Sequence, residues 1–324
     1  MGYVMTESRM DQEFPSLEPN ERSAREQLRL DRSGTQVLLG TTCNDSPGLG
    51  VHGPEVAVHH DDVVPRVGRS DRGQLTLWLE LLECQTGLTL PFELPHYYGL
   101  QEWIECPCVL DLGTGPGYFL KALAHRFPNK SYLGVDRDAE YIAVARQDCP
   151  PFIRFDVVDL FSVSGTYPFV TARLVAQHVP SLQEFLTKVH DLLTPGGCFL
   201  SVEPNDELRA FHPSLRVTES MFAQFAEHRR QAGFNRAAGL VMAELATTHG
   251  LSLERYADVV VPSCLPTYRE RFVTFHQLIV DIFAQAFEMS VDRTRVLAEL
   301  HEWSSNPIAY AQLGVRWAVY RRMD

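Results

Sequence analysis

Ten residues constrain this chain more than any others: Val109-Leu110-Asp111-Leu112-Gly113-Thr114-Gly115-Pro116-Gly117-Tyr118. A short apolar run of buried-strand type ends on three glycines at alternate positions and passes into a helix-forming stretch. Glycines there let the backbone turn tightly and leave no Cβ between it and a ligand. The helix that follows aims its free N–H groups and positive dipole end at whatever binds. A dinucleotide fingerprint would read G-x-G-x-x-G to seat a pyrophosphate. Here the spacing is G-x-G-x-G, and Asp111 stands two residues before the first glycine. A carboxylate at that point repels pyrophosphate and suits a cationic or amine-bearing ligand.

Strands and helices alternate beyond this turn. Tyr118–Phe127 reads as a helix, Ser131–Val135 as a strand, Ala139–Gln147 as a helix and Ile153–Val158 as a strand. Phe169–Ala172 is a strand, Leu182–Leu193 a helix and Cys198–Val202 a strand. Alternation at this spacing predicts a doubly wound α/β fold, a parallel sheet with crossover helices. Upstream, Leu75 to Leu82 with Trp78 read as an apolar helix ending near Gly87. Downstream, Ser214–Gln231 and Tyr268–Met289 read as long helices and Arg293–Trp303 as a shorter one. Leu253–Val261 and Val315–Tyr320 read as strands. Phe272, Phe275, Phe283 and Phe287 recur at helical spacing, the mark of a core face that can also line a pocket.

Composition narrows the function classes. Of 324 residues, 45% are hydrophobic and 22% charged, and no apolar run approaches the ~18 residues of a membrane span, so no membrane partner is expected. A net charge of -12 disfavours nucleic acid. Seven dispersed cysteines predict reduced thiols and a cytoplasmic setting. Cys106 and Cys108, separated by Pro107 alone, lack zinc spacing, and no metal set is expected. Residues 1–72 hold 22 apolar residues and are read as a flexible N-terminal arm, with a short helix at Ser23–Leu30 and a solvated turn at His59-His60-Asp61-Asp62. The first residues, MGYVMTESRMDQEF, show no apolar export segment.

The glycine segment resembles motif I of the class I S-adenosylmethionine-dependent methyltransferases, and the resemblance runs from about Cys108 to Tyr256. It implies a Rossmann-like sheet, mostly parallel with an antiparallel last strand. It also implies helical cap insertions around 205–235 and 262–308 within a domain spanning 73–324. S-Adenosyl-L-methionine carries a sulfonium and an ammonium but no phosphate, in keeping with Asp111. By the resemblance, Asp111, Gly113, Thr114, Gly115 and Gly117 cradle the cofactor. Asp136, closing Leu133-Gly134-Val135, takes the ribose hydroxyls, with Arg137 beside it. Asp159 faces the adenine amine, with Asp156 as the alternative acid, and Leu160 and Phe161 pack on the ring. Arg173 ends the fourth strand at the same edge. The turn Leu192-Leu193-Thr194-Pro195-Gly196-Gly197 resembles the one before the family's fifth strand.

Methyl transfer from a sulfonium is an in-line displacement, favoured by a dry pocket that holds nucleophile, methyl and sulfur in line. A base is needed only where the acceptor must first lose a proton. His178, in the loop after strand four, is the candidate base, its alternative being to order that loop. Candidate acceptor contacts are Tyr97, Tyr98, Glu203, Asn205, Phe222, Phe272 and His276, a capping role being equally open to Glu203 and Asn205 and a core or surface role to Tyr97 and Tyr98. The fourth strand ends Ala172-Arg173-Leu174-Val175 rather than in an Asn/Asp-Pro-Pro-aromatic tetrapeptide, so a small molecule is expected as acceptor rather than a base or amide nitrogen of a macromolecule. Arm and cap are the expected contacts of a homodimer. Two rival readings are an NAD-type oxidoreductase, disfavoured by the glycine spacing, and a non-catalytic S-adenosylmethionine-binding protein.

Overall fold

The computed structural model describes residues 72–264, 266–286 and 291–324. Among them eight strands form one sheet: β1 (Cys108–Leu112), β2 (Ser131–Asp136), β3 (Ile153–Val157), β4 (Tyr167–Arg173), β5 (Leu193–Pro204), β6 (Ala210–His212), β7 (Leu251–Pro262) and β8 (Tyr310–Arg322). The order across the sheet is β3-β2-β1-β4-β5-β8, with β7 paired to β8. Strands β1 to β5 are mutually parallel, and β8 runs antiparallel to both β5 and β7. The short β6 pairs with Tyr310–Gln312 just past the stretch of β8 that β5 covers. This is the doubly wound sheet that the alternation predicts, with the reversed strand that the resemblance implies.

Nine helices surround it among the described residues: α1 (Arg72–Tyr98), α2 (Gln101–Glu105), α3 (Tyr118–Arg126), α4 (Ala139–Ala145), α5 (Leu182–Leu192), α6 (Arg216–Gln231), α7 (Ala238–Leu245), α8 (Pro266–Ala286) and α9 (Arg293–Ser305). Local sequence explains their starts. Ser181 caps α5 by accepting the Glu184 N–H at 3.2 Å, and Asp138 caps α4 by accepting from Glu140 and Tyr141. Helix α5 then buries Leu182, Phe185, Leu186 and Val189, an i, i+3, i+4, i+7 stripe. All five residues of β1 are buried, as a central parallel strand requires. Val109 faces one core with Trp103, Phe119 and Leu123; Leu110 and Leu112 face the other with Phe185 and Val189. A third core, of Phe222, Phe272, Ile279, Phe283, Leu300 and Trp303, builds the cap.

The structure corrects the sequence reading in two places. Helix α1 does not end near Gly87 but continues to Tyr98 through Pro91 and Pro95. Pro91 has no N–H to give the Gly87 carbonyl. Arg271 of α8 supplies the missing donor, its Nη1 lying 2.8 Å from that oxygen. Helix α7 was not anticipated, because Ala238–Leu245 is apolar nearly throughout and shows no 3.6-residue contrast. The expected arm up to residue 71, with Ser23–Leu30 and His59–Asp62, lies outside the described residues, as does Phe287. No described helix is long and apolar enough to cross a membrane.

Candidate active site

From β1 the chain winds to β2 and β3 on one side, and from β4 to β5 on the other, so the sheet reverses its winding between β1 and β4. In open α/β sheets the crevice outside the carboxyl ends at such a point is where ligands bind. The glycine turn stands there, with positive φ of 66°, 56° and 75° at Gly113, Gly115 and Gly117. It is tied to β2 by the Thr114 N–H, which donates to the Val135 carbonyl at 2.9 Å. A Cβ on Gly113 would come within 2.6 Å of Val175 Cγ2, so this turn and the loop after β4 pack directly together. A Cβ on Gly115 would meet nothing within 4 Å: the middle of the turn faces open space. Helix α3 starts beyond Gly117 without a side-chain cap, leaving its first amides to the crevice.

Two acids frame the turn. Asp136 closes β2, its Oδ2 accepting the Gly115 N–H and its Oδ1 the Asp138 N–H, both at 2.9 Å. Burial raises its pKa while those two amides pull it back. Asp111 is 2% exposed, and burial pushes it up to about 7 against the opposing pull of Thr114 and Arg173. Its carboxyl is therefore held in an environment that rewards a cation bound above it. Asp159 stands just past β3 and accepts the Phe161 N–H at 2.9 Å, with Leu160 and Phe161 half-buried beside it. Asp156 instead pairs with Arg154 at 2.6 Å and Arg146 at 3.8 Å, which leaves Asp159 as the acid at the sheet edge.

Arg173, at the end of β4, is held from behind. Its Nε lies 3.2 Å from both Glu93 carboxylate oxygens, its Nη2 lies 3.0 Å from Glu93 Oε1, and it also donates to the Thr89 hydroxyl. Both charged side chains are buried, Glu93 completely. The guanidinium also lies 4.8 Å from the Phe119 ring centre. Sequence reasoning missed Glu93 and Thr89, since it placed the end of α1 before them; an acid alone inside the apolar stretch Leu88–Leu94 was the available signal.

His178 ends a single 3-10 turn after β4; the residue is exposed, with its ring edge-on to Phe234 at 5.1 Å. Arg229 Nη2 lies 3.3 Å from its Nδ1. The packed surroundings lower the imidazole pKa, and Arg229, Arg236 and Arg137 lower it further, so the ring is neutral at pH 7. Glu203 fixes this loop from β5: its Oε1 accepts the Val175 and Ala176 N–H groups at 3.0 and 2.8 Å, and burial pushes its pKa up to about 7. Asn205 caps the turn after β5 by accepting the Glu207 N–H and donates to Asp258 at 3.0 Å.

The structure gathers Asp111, the glycine turn, Asp136, Asp159, Arg173 and His178 at one edge of the sheet, with Arg137 beside His178. It does not bring all the expected acceptor contacts there. Tyr97 is fully buried among Trp103, Phe119 and Trp317. Tyr98 is 55% exposed and packs on Phe127, beyond the end of α3 and next to the amino ends of β1 and β2. Glu203 and Asn205 are engaged by backbone amides. Phe222, Phe272 and His276 lie together in the cap core. Arg229, which the sequence did not single out, is the side chain that orients His178.

A switch-point crevice faced by a G-x-G-x-G turn, with one acid on the first strand and another closing the second, defines a class I S-adenosylmethionine-dependent methyltransferase. The chain belongs to the methyltransferase-domain family, whose profile matches residues 79–249, a little over half of it. A trans-aconitate 2-methyltransferase of Deinococcus radiodurans is 30% identical over 144 residues, 44% of this chain and 51% of that protein. Another from Methylobacterium nodulans is 34% identical over 111 residues, 34% of this chain and 42% of that protein. The chain thus spans about half the length of these relatives. Among solved structures, the cyclopropane synthase MmaA2 of Mycobacterium tuberculosis aligns with a TM-score of 0.44 at 13% identity, covering 76% of this chain and 83% of that one.

Proposed function

We propose that this chain transfers a methyl group from S-adenosylmethionine to a small organic acid that is already ionised at neutral pH. The observation that carries the donor half is Gly115: it opens on free space while its own N–H holds the carboxylate of Asp136. Each Asp136 oxygen has accepted one N–H and keeps a lone pair for a ribose hydroxyl. Asp159 keeps one oxygen for an adenine amine, and buried Asp111 favours an ammonium. S-Adenosylmethionine, when bound, supplies a methyl group made electrophilic by its sulfonium.

The acceptor half rests on His178. A guanidinium only donates, so the contact from Arg229 leaves Nδ1 as acceptor and puts the ring proton on Nε2. His178 then offers an N–H to the acceptor rather than a lone pair for its proton. It orients an anionic oxygen instead of acting as the candidate base that the sequence offered. An acceptor that needs no base, such as a carboxylate, fits this arrangement, and the relatives named for trans-aconitate agree with it. The full chain incubated with methyl-labelled S-adenosylmethionine and a panel of carboxylic acids, trans-aconitate included, tests the reading by mass spectrometry. The expected product is a labelled methyl ester formed at nearly constant rate between about pH 6 and 8. Label on an amine, or a rate falling with acid through the ordinary imidazole range, would restore a base and remove this proposal.

A further inference from the structure

Among the described residues, two polar side chains of the cap keep hydrogen-bonding capacity unused against one aromatic ring. Arg209, between β5 and β6, is half-buried with its guanidinium carbon 4.7 Å from the Phe222 ring centre. Among the described residues its side chain has no hydrogen-bonded acceptor. The acids that face it are engaged elsewhere: Asp206 takes Arg236 at 2.5 and 2.8 Å, and Glu219 takes the Ser214 hydroxyl at 2.9 Å. His276, on α8, is 1% exposed and packs at 5.5 Å on the same Phe222, with Phe211 and Phe275 each at 5.4 Å. Its Nδ1–H donates to the Phe272 carbonyl at 2.6 Å, which makes Nε2 an acceptor, and that buried nitrogen has no partner. Burial and then Arg209 hold the imidazole at about 4, hence neutral.

A buried acceptor left unsatisfied destabilises a fold, and a purely structural helix would place Phe or Leu there instead. The pair is also joined to the loop after β4 by a continuous aromatic wall. Phe283 lies 5.9 Å from Phe222 and stacks at 3.5 Å on Phe225, over which Arg229, the partner of His178, is placed at 5.6 Å.

We propose that Arg209 and His276 anchor the far end of the acceptor, and that this end is a carboxylate with a neighbouring hydroxyl. The carboxylate sits on the Arg209 guanidinium, the hydroxyl O–H donates to His276 Nε2, and the carbon skeleton lies against Phe211 and Phe222. Resting on the methyltransferase reading above, this narrows the acceptor to a hydroxylated dicarboxylic acid, with its second ionised group at the His178 end.

Calorimetry on the full chain saturated with S-adenosylhomocysteine tests it with a matched pair of probes, adipate and 2-hydroxyadipate. Wild type is expected to bind 2-hydroxyadipate about tenfold more tightly than adipate. His276→Phe should erase that preference while keeping or raising the melting temperature. His276→Gln, which retains an acceptor oxygen, should restore part of it. Arg209→Met should weaken both probes by about 10- to 100-fold with S-adenosylhomocysteine affinity unchanged. Equal binding of the two acids to wild type, or a preference that survives His276→Phe, overturns the anchoring site. Failure of wild type to bind S-adenosylhomocysteine at all overturns the methyltransferase reading and the anchor with it.

Discussion

Around the glycine turn, polar groups meet their partners through the backbone. Gly115 and Asp138 amides hold Asp136, Val175 and Ala176 amides meet Glu203, and Thr114 is tied to β2. Around Phe222 in the cap most of the contacts are between side chains: rings on rings, a guanidinium over Phe222, an imidazole boxed by phenylalanines. The first kind of construction depends on φ angles and strand register, so few residue types satisfy it. The second depends on volume and apolarity, and many sequences would fill it. A region that receives an invariant cofactor can be built the first way; a region that must fit one particular acceptor is built the second way.

Substitution at Gly113 is the harshest way to break that contrast. Gly113→Val combines a φ of 66° with a Cβ 2.6 Å from Val175, forcing both strain and overpacking at the junction of two loops. A loss on the order of 4 kcal/mol is expected by urea unfolding, together with loss of S-adenosylhomocysteine binding by calorimetry. Gly115→Ala has space and only the backbone penalty of about 1–2 kcal/mol, so it should fold and bind weakly. Equal behaviour of the two would mean that the turn is not rigidly seated on Val175.

Glu93→Leu probes a place where the donor half relies on a buried side-chain ion pair. It leaves Arg173 buried and uncompensated, for an expected loss of about 3–5 kcal/mol in thermal or urea unfolding. The double variant Glu93→Leu/Arg173→Leu should regain most of it. If the single change proves neutral, Arg173 has another route to solvent or partner, and helix α1 is not what steadies the end of β4.

Asp111 sharpens the comparison through pH. Its folded pKa is raised from 3.8 to about 7, so between those values the folded protein binds a proton that the unfolded chain has released. Stability contributed by this group is thus present below about pH 4, falls as pH rises toward 7, and is flat above. Asp111→Asn removes the slope. The variant should match wild type at pH 4 and exceed it at pH 8 by at most about 4 kcal/mol. A variant less stable than wild type at pH 8 would show the carboxylate to be compensated in the folded state.

The glycine turn, Asp111, Asp136 and the strand order were legible because each ties a residue type to a backbone requirement at fixed spacing. The ion pair of Glu93 with Arg173 spans 80 positions, and the contact of Arg229 with His178 spans 51. No local pattern announces pairings at such separation. The end of α1 was misjudged for the same reason, since Pro91 and Pro95 ordinarily stop a helix and the donor that compensates Pro91 lies 184 residues from the Gly87 carbonyl it serves. Asn205 shows the converse: its position just past a strand suited a ligand contact and a cap equally, and its side chain caps a turn.

That long-range donor yields the smallest effect and the most direct measure of how scaffold and cap are joined. Arg271→Met keeps the stem against the helix but removes the Nη1 contact that satisfies the Gly87 carbonyl, at an exposed site, for about 0.5–1.5 kcal/mol. Pro91→Ala returns an N–H to the helical ladder, one turn after Gly87, and gives that carbonyl a partner of its own. In the Pro91→Ala background Arg271→Met should therefore be close to neutral, a coupling of about 1 kcal/mol in a double-mutant cycle read by urea unfolding. Additive effects would mean that Arg271 acts elsewhere on the cap. Helix α1 would then cross its two prolines through packing of Leu88, Leu90 and Tyr97 alone.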